Sequence, residues 1–322
     1  MLTEIKKILV TGAIGQIGSE LTNELRRKYG NNNVIATDLR ACECSSKSDG
    51  LFQTLDVLDY NAIQKIITDN QIDTIVHLAA LLSGVGEKNP QLCWNVNMNG
   101  TMNILNVAVK NNLYRVFIPS SIAVWGPDCP KFAPQETALH PTTMYGVTKV
   151  AGEILCDYYF NKFGLDVRGL RYPGIISAET FPGGGTTDYA VAIYYEAVKR
   201  NHYICFVKED TKLPMMYMPD CLKASMDLLE APLDKLRHHS DFNVGSMSFD
   251  VKTLADSIRK FKPGFTIDYE PDFRQAIADS WPDSVDDTSA REEWGWSPSY
   301  DLDSMTKDML ARLEEKHKKG LI

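Results

Sequence analysis

The chain has 322 residues, 44% of them hydrophobic and 24% charged. At about 100–200 residues per domain, that length predicts two lobes or one large enzyme domain with a sizeable core. Thirty-four basic against 42 acidic side chains leave a formal net charge of −8, which argues against a nucleic-acid partner, because phosphate-backbone binders cluster Lys and Arg. The nearly apolar stretch at 72–82 is interrupted by Asp73 and His77. It falls short of the roughly 18–20 residues of a membrane span, so no membrane association is expected. Seven scattered cysteines suit a reducing compartment. Only Cys42 and Cys44 lie close together, and with no second pair at ligand spacing no metal is expected.

The first residues, Met1 to Lys7, run directly into Ile8-Leu9-Val10 and contain neither a signal peptide nor an Arg- and Ser-rich transit sequence. Cytoplasmic residence is expected of the chain as given; the mitochondrial matrix would require a presequence absent from it. A β-branched run predicts a strand over 7–11, followed by Gly12-Ala13-Ile14-Gly15-Gln16-Ile17-Gly18 and a helix over 17–29. Glycines at a strand-to-helix turn let a pyrophosphate approach the amides of the helix N-terminus, where the dipole favours negative charge. Asp38 ends the next strand, 34–38, about 20 residues after the last glycine, where a carboxylate binds adenosine ribose hydroxyls. The same charge repels the extra phosphate of NADP, so NAD is the expected cofactor, with Arg40 softening the preference.

A strand over 52–55 brings Asp56 and Val57 toward the adenine edge, and a helix over 61–70 leads to a fourth strand, 74–78. After a helix over 92–112, a strand over 116–120 ends in Pro119-Ser120-Ser121, so hydroxyls emerge at the carboxyl edge of the sheet, where open α/β sheets bind ligands. Tyr145 and Lys149 lie four residues apart near the start of a helix over 145–163, which sets both on one face. A sixth strand spans 167–171. Alternating strands and helices define an α/β fold, a doubly wound parallel sheet of Rossmann type. Beyond it, the loop from Phe181 to Thr187 opens a smaller C-terminal α/β substrate lobe. The expected division is a nucleotide lobe over 1–175, rejoined at about 216–245 through a strand at Phe242-Asn243-Val244, and a substrate lobe over 176–215 and 246–322.

Together, Gly12-xx-Gly15-xx-Gly18, Leu78-Ala79-Ala80, Asn97, Ser120-Ser121 and Tyr145-xxx-Lys149 resemble the extended short-chain dehydrogenase/reductase family. The resemblance implies that Tyr145 is the base and that Lys149 binds the nicotinamide ribose and lowers the tyrosine pKa. It also implies that Ser121 hydrogen-bonds the reacting oxygen and that Asn97 supports a proton relay. The chemistry is coherent: tyrosine has a pKa of about 10, and an adjacent ammonium and a positively charged nicotinamide both favour phenolate. The cofactor site is read as Gly12, Gly15, Gln16, Ile17, Gly18, Asp38, Leu39, Arg40, Asp56, Val57, Leu78, Ala79, Ala80, Tyr145, Lys149 and Tyr172. Family members pair through the helices matching 92–112 and 145–163, which implies a homodimer; the cluster Tyr158-Tyr159-Phe160 suits either that interface or the monomer core.

The family includes nucleotide-sugar epimerases and dehydratases as well as dehydrogenases, so the shared core leaves the reaction open. Epimerases carry Arg-Tyr-Phe-Asn after the sixth strand, whereas this chain has Arg171-Tyr172-Pro173-Gly174, without the amide that faces a diphosphate. The segments at 171–177, 182–190, 213–217 and 275–282 resemble the short-chain-type L-threonine 3-dehydrogenases. That likeness implies oxidation of L-threonine with NAD to 2-amino-3-oxobutyrate and NADH, in threonine degradation to glycine or aminoacetone. The alternative is a UDP-sugar 4-epimerase or dehydratase. A small zwitterion needs anion donors, and the glycine run ending at Gly185, with Thr186 and Thr187 at a helix start, offers free amides and two hydroxyls for a carboxylate. Ser83, Ser121 and Tyr145 complete the expected substrate contacts, and Trp281 is expected to close the pocket.

Overall fold

Strand Ile8–Thr11 sits between two parallel neighbours, pairing Ile8 with Val34 on one side and with Thr74 on the other. In the computed structural model, which describes residues 4–41, 50–181 and 183–322, it belongs to a six-stranded parallel sheet. The strand order is Phe52–Thr54, Val34–Asp38, Ile8–Thr11, Thr74–His77, Arg115–Phe117 and Val167–Arg168. Every residue of the three strands beginning at Ile8, Val34 and Thr74 is buried, as expected of a parallel sheet covered by helices on both faces. Alternation splits the strand between two cores. Ile8 and Val10 pack with Leu21 and Leu25 of helix Gln16–Tyr29, while Leu9 packs with Ile63 of helix Tyr60–Asn70 and Ile104 of helix Gly100–Lys110.

Because all six strands are parallel, their carboxyl ends share one edge, and Thr11, Asp38 and His77 close their strands there. Strand Leu170–Tyr172 continues that edge between Ser120–Ser121 and Phe242–Asn243. Farther along the chain, Gly174–Ile176, Lys212–Tyr217 and Met247–Asp250 form a three-stranded sheet, and His202–Cys205 pairs with Thr266–Tyr269. A third core, containing Trp125, Tyr189, Tyr194, Met305 and Met309, lies among the helices Tyr189–Lys199, Val251–Phe261 and Leu302–Lys318.

One local prediction is corrected. The expected continuous helix over 92–112 is divided into Pro90–Trp94, a π-helical turn Asn95–Asn99, and Gly100–Lys110. Apolar spacing does not distinguish one wide turn from an ordinary one. The stretch beginning at Ser83, to which no element was assigned, forms helix Ser83–Lys88; its two glycines hide it, since glycine disfavours a helix interior. Cys42, Cys44 and Pro182 lie outside the described residues. Among those described, no helix is long and apolar enough to cross a membrane.

Candidate active site

The glycine turn is built by backbone bonds. Gly15 N–H donates to the Gly12 carbonyl at 3.0 Å, and Ser19 N–H donates to the Gly15 carbonyl at 2.9 Å. No side chain caps helix Gln16–Tyr29, so its first amides are left for a ligand. A Cβ on Gly18 would overlap the carbonyl oxygen of Gly12. Alanine in a helix interior gains up to about 1 kcal/mol over glycine, but overpacking against a fixed backbone atom costs about 1–3 kcal/mol. Gly18→Ala is therefore expected to lower stability and weaken NAD binding together, readable by denaturant unfolding and cofactor titration. A more stable variant with unchanged NAD affinity would contradict this packing.

Asp38 Oδ2 accepts the Ile14 amide at 3.1 Å, and its Oδ1 accepts the Arg40 amide at 3.1 Å and Arg40 Nε at 3.3 Å. The carboxylate thus faces the glycine turn, while Leu39 and the Arg40 side chain are exposed. Asp56 is exposed, and Val57 is buried with its carbonyl accepting Asn103 Nδ2 at 3.0 Å.

Below the glycine turn, a cleft follows the carboxyl edge of the sheet. Its lining joins Gly12, Gly15, Gln16, Ile17 and Gly18 to Leu78, Ala80, Ser121, Tyr145, Lys149 and Tyr172, and then to Ser83, Gly185, Thr186, Thr187 and Trp281. Asp38, Leu39, Arg40, Asp56, Val57, Ala79 and Asn97 are not part of that lining. Ala79 and Asn97 line a second, smaller cavity that shares Lys149 with the cleft.

Helix Met144–Phe163 begins with Thr143, whose hydroxyl accepts the Gly146 amide at 3.0 Å, and this cap places Tyr145 on the first turn. Burial pushes the Tyr145 phenol up to about 12, and its hydrogen bond with Ser121 pulls the other way. Desolvation is the largest effect on the buried phenol in the protein alone, in place of the expected lowering by Lys149. Burial lowers Lys149 itself to about 8, and its Nζ donates to the Pro119 carbonyl at 2.7 Å. Asn97 brackets Leu81, accepting its amide at 2.8 Å and donating to its carbonyl at 3.1 Å, and also donates to Thr148 Oγ1 at 3.0 Å. Its amide thereby fixes the chain leading to Ser83. Tyr172 turns its hydroxyl to Ser225 at 2.5 Å.

At the far end, Ser83 and Thr186 hydroxyls lie 3.3 Å apart, both buried. The expectation of free amides in the glycine run is corrected: Gly184 and Gly185 N–H both donate to Asp188 Oδ2 at 2.7 Å. Nor do the threonines cap the next helix. Tyr189–Lys199 begins after Asp188, without a side-chain cap bond. Asp188 also lines the cleft, and sequence reasoning missed it although it directly follows Thr186-Thr187. Gly174 has a steric reason: a Cβ there would overlap Met215 Sδ and lie 2.8 Å from Thr187 Cβ, so asparagine at this position would displace these side chains.

The glycine turn, the acid ending the second strand and the Ser–Tyr–Lys group lie along one sheet edge, and the chain belongs to the NAD dependent epimerase/dehydratase family, whose pattern matches residues 8–245. An L-threonine dehydrogenase from Clostridium difficile, solved by X-ray crystallography, is 55% identical over 98% of this chain and 99% of its own, with a TM-score of 0.95. A monomeric L-threonine 3-dehydrogenase from a metagenome, in its apo form, is 50% identical over 96% of this chain and 99% of its own, with a TM-score of 0.93. An uncharacterized epimerase/dehydratase from Staphylococcus haemolyticus (strain JCSC1435) is 50% identical over 97% of this chain and 99% of its own length.

Proposed function

We propose that this chain oxidises L-threonine at its β-hydroxyl with NAD, giving 2-amino-3-oxobutyrate and NADH. The observation that carries this reading is that one cleft joins the glycine turn, the Ser121–Tyr145–Lys149 group and a hydroxyl-lined end that Trp281 also lines. The likeness to two solved threonine dehydrogenases over nearly the whole chain supports it. The residues fit NAD: the uncapped helix start offers amides to a pyrophosphate, and Asp38 offers acceptors to ribose hydroxyls. When bound, NAD supplies the acceptor for the hydride on threonine's β-carbon. Tyr145 takes the hydroxyl proton, Ser121 holds the same oxygen, and Lys149 keeps positive charge beside the phenol. The hydroxyls of Ser83, Thr186 and Thr187 hold the amino acid, and Trp281 excludes water.

An epimerase or dehydratase returns its hydride to the sugar, so it shows no net reduction. The absence of a side-chain amide at Pro173-Gly174 disfavours a diphosphate. NADH absorbance with L-threonine, L-allo-threonine, L-serine and UDP-glucose tests the choice. Robust NAD reduction with L-threonine is expected; interconversion of the sugar nucleotide without net reduction would overturn the reading.

The second part of the proposal concerns assembly. Leu92 and Trp94 on helix Pro90–Trp94, Met102 on helix Gly100–Lys110, and Ile154, Tyr158 and Phe163 on helix Met144–Phe163 are exposed apolar side chains. Tyr158 is outward, whereas Tyr159 is buried with its hydroxyl donating to Asn106 at 2.6 Å. Such a surface suits a second copy of the chain. Light scattering should give twice the chain mass; a single-chain mass, as in the monomeric relative, would contradict the dimer.

A further inference from the structure

The cleft is almost free of charge. Among its described lining residues only Lys149 and Asp188 are ionisable as cation or carboxylate. Lys149 belongs to the tyrosine end, where its Nζ is engaged by the Pro119 carbonyl. Asp188 stands at the other end, beside Thr186 and Thr187, where the amides of Gly184 and Gly185 both donate to its Oδ2 and the Gly183 amide also bonds the carboxylate. A carboxylate seated on the loop amides makes this end of the cleft an acceptor of positive charge, the opposite of the anion site that a bare glycine loop would form.

We propose that Asp188 is a specificity-determining residue that receives the α-ammonium group of a 3-hydroxy amino acid. The inference rests on the threonine-oxidising reading and deepens it. The hydroxyls of Ser83, Thr186 and Thr187 are then left for the substrate carboxylate, so the two charges of the zwitterion meet different groups. A substrate with negative charge and no ammonium, whether a simple hydroxy acid or a sugar diphosphate, meets repulsion at Asp188 instead. Burial raises the Asp188 carboxyl from its ordinary value, while the amides of Gly185 and Gly184 hold it down. Arg274, the cation that also acts on it, is paired with Asp272 at 2.6 Å. A substrate ammonium supplies the cationic partner that this end of the cleft lining lacks.

The test compares L-threonine with 3-hydroxybutyrate, which keeps the hydroxyl and carboxylate and lacks the ammonium. Wild-type enzyme should prefer L-threonine strongly in kcat/KM. Asp188→Asn should lose about 10–100-fold on L-threonine, mainly through KM, and little on 3-hydroxybutyrate, so the preference collapses. Asp188→Glu, which keeps the charge, should restore part of it. Equal losses on both substrates would mean that Asp188 only clamps the glycine loop, and would overturn the proposal. If Asp188→Asn does not fold, wild-type enzyme still decides: equal use of both substrates would overturn it. No NADH from wild-type enzyme with L-threonine would instead overturn the functional reading itself.

Discussion

Replacing Tyr145 with phenylalanine is expected to lower kcat with L-threonine by about 10²–10⁴-fold, the range a positioned general base contributes. The ring is buried beside Cys93 and Ile122 in the same apolar core, so phenylalanine keeps the packing and removes only the hydroxyl. NAD affinity and unfolding midpoint should change far less than turnover. The pH dependence follows from the same group. Burial places the phenol at about 12 in the protein alone, and only phenolate accepts a proton, so wild-type turnover should rise with pH as the phenol ionises. Positive charge from bound NAD moves that rise to lower pH. The Tyr145→Phe variant should lose this rising limb. Near-normal turnover in the variant would remove Tyr145 from the mechanism.

Truncating Arg171 to alanine is expected to cost about 3–5 kcal/mol of folding stability, because it leaves a buried carboxylate unpaired. Arg171 and Glu153 are both buried and meet in a two-pronged pair, Nε to Oε1 at 2.9 Å and Nη2 to Oε2 at 2.8 Å. The remaining Nη1 donates to the Gln135 carbonyl and to Asn243 Oδ1, each at 3.1 Å, tying three chain segments together. Glu153 is one turn beyond Lys149 on helix Met144–Phe163, so the pair also anchors the helix that carries Tyr145. Burial raises the Glu153 carboxyl, and the guanidinium opposes that rise. Replacing both partners with apolar residues of similar volume should cost much less than the single truncation, since desolvation offsets most of the attraction in a buried pair. Denaturant unfolding of the single and double variants separates the two effects. A loss below about 1 kcal/mol for Arg171→Ala would show that water reaches Glu153 and relieves it.

The parallel sheet was legible because its central strands, Ile8–Thr11, Val34–Asp38 and Thr74–His77, are fully buried and therefore read as nearly continuous apolar runs. Strand Val34–Asp38 appears with its expected bounds, and helix Gln16–Tyr29 begins one residue before its predicted start. Gly12 to Gly18, Ser121, Tyr145 and Lys149 could be found because strand ends and helix starts converge on one sheet edge. What stayed hidden depends on contacts distant in sequence. Asp188 looked like an ordinary polar residue before a helix, and its hold on Gly184 and Gly185 follows from how the loop folds back. Similarly, nothing near Asn97 announces that its side chain binds the backbone of Leu81, 16 residues away. The upward shift of Tyr145 reflects desolvation, which local spacing to Lys149 does not reveal.

The most direct measurement uses L-threonine carrying deuterium on its β-carbon, incubated with the protein and NAD, followed by mass analysis of the reduced cofactor and the product. Stoichiometric deuterium in NADH, with 2-amino-3-oxobutyrate or its decarboxylation product aminoacetone, is the expected result. Unlabelled cofactor and intact threonine, alongside interconversion of a UDP-sugar, would contradict the dehydrogenase reading and turn the same cleft into that of an epimerase.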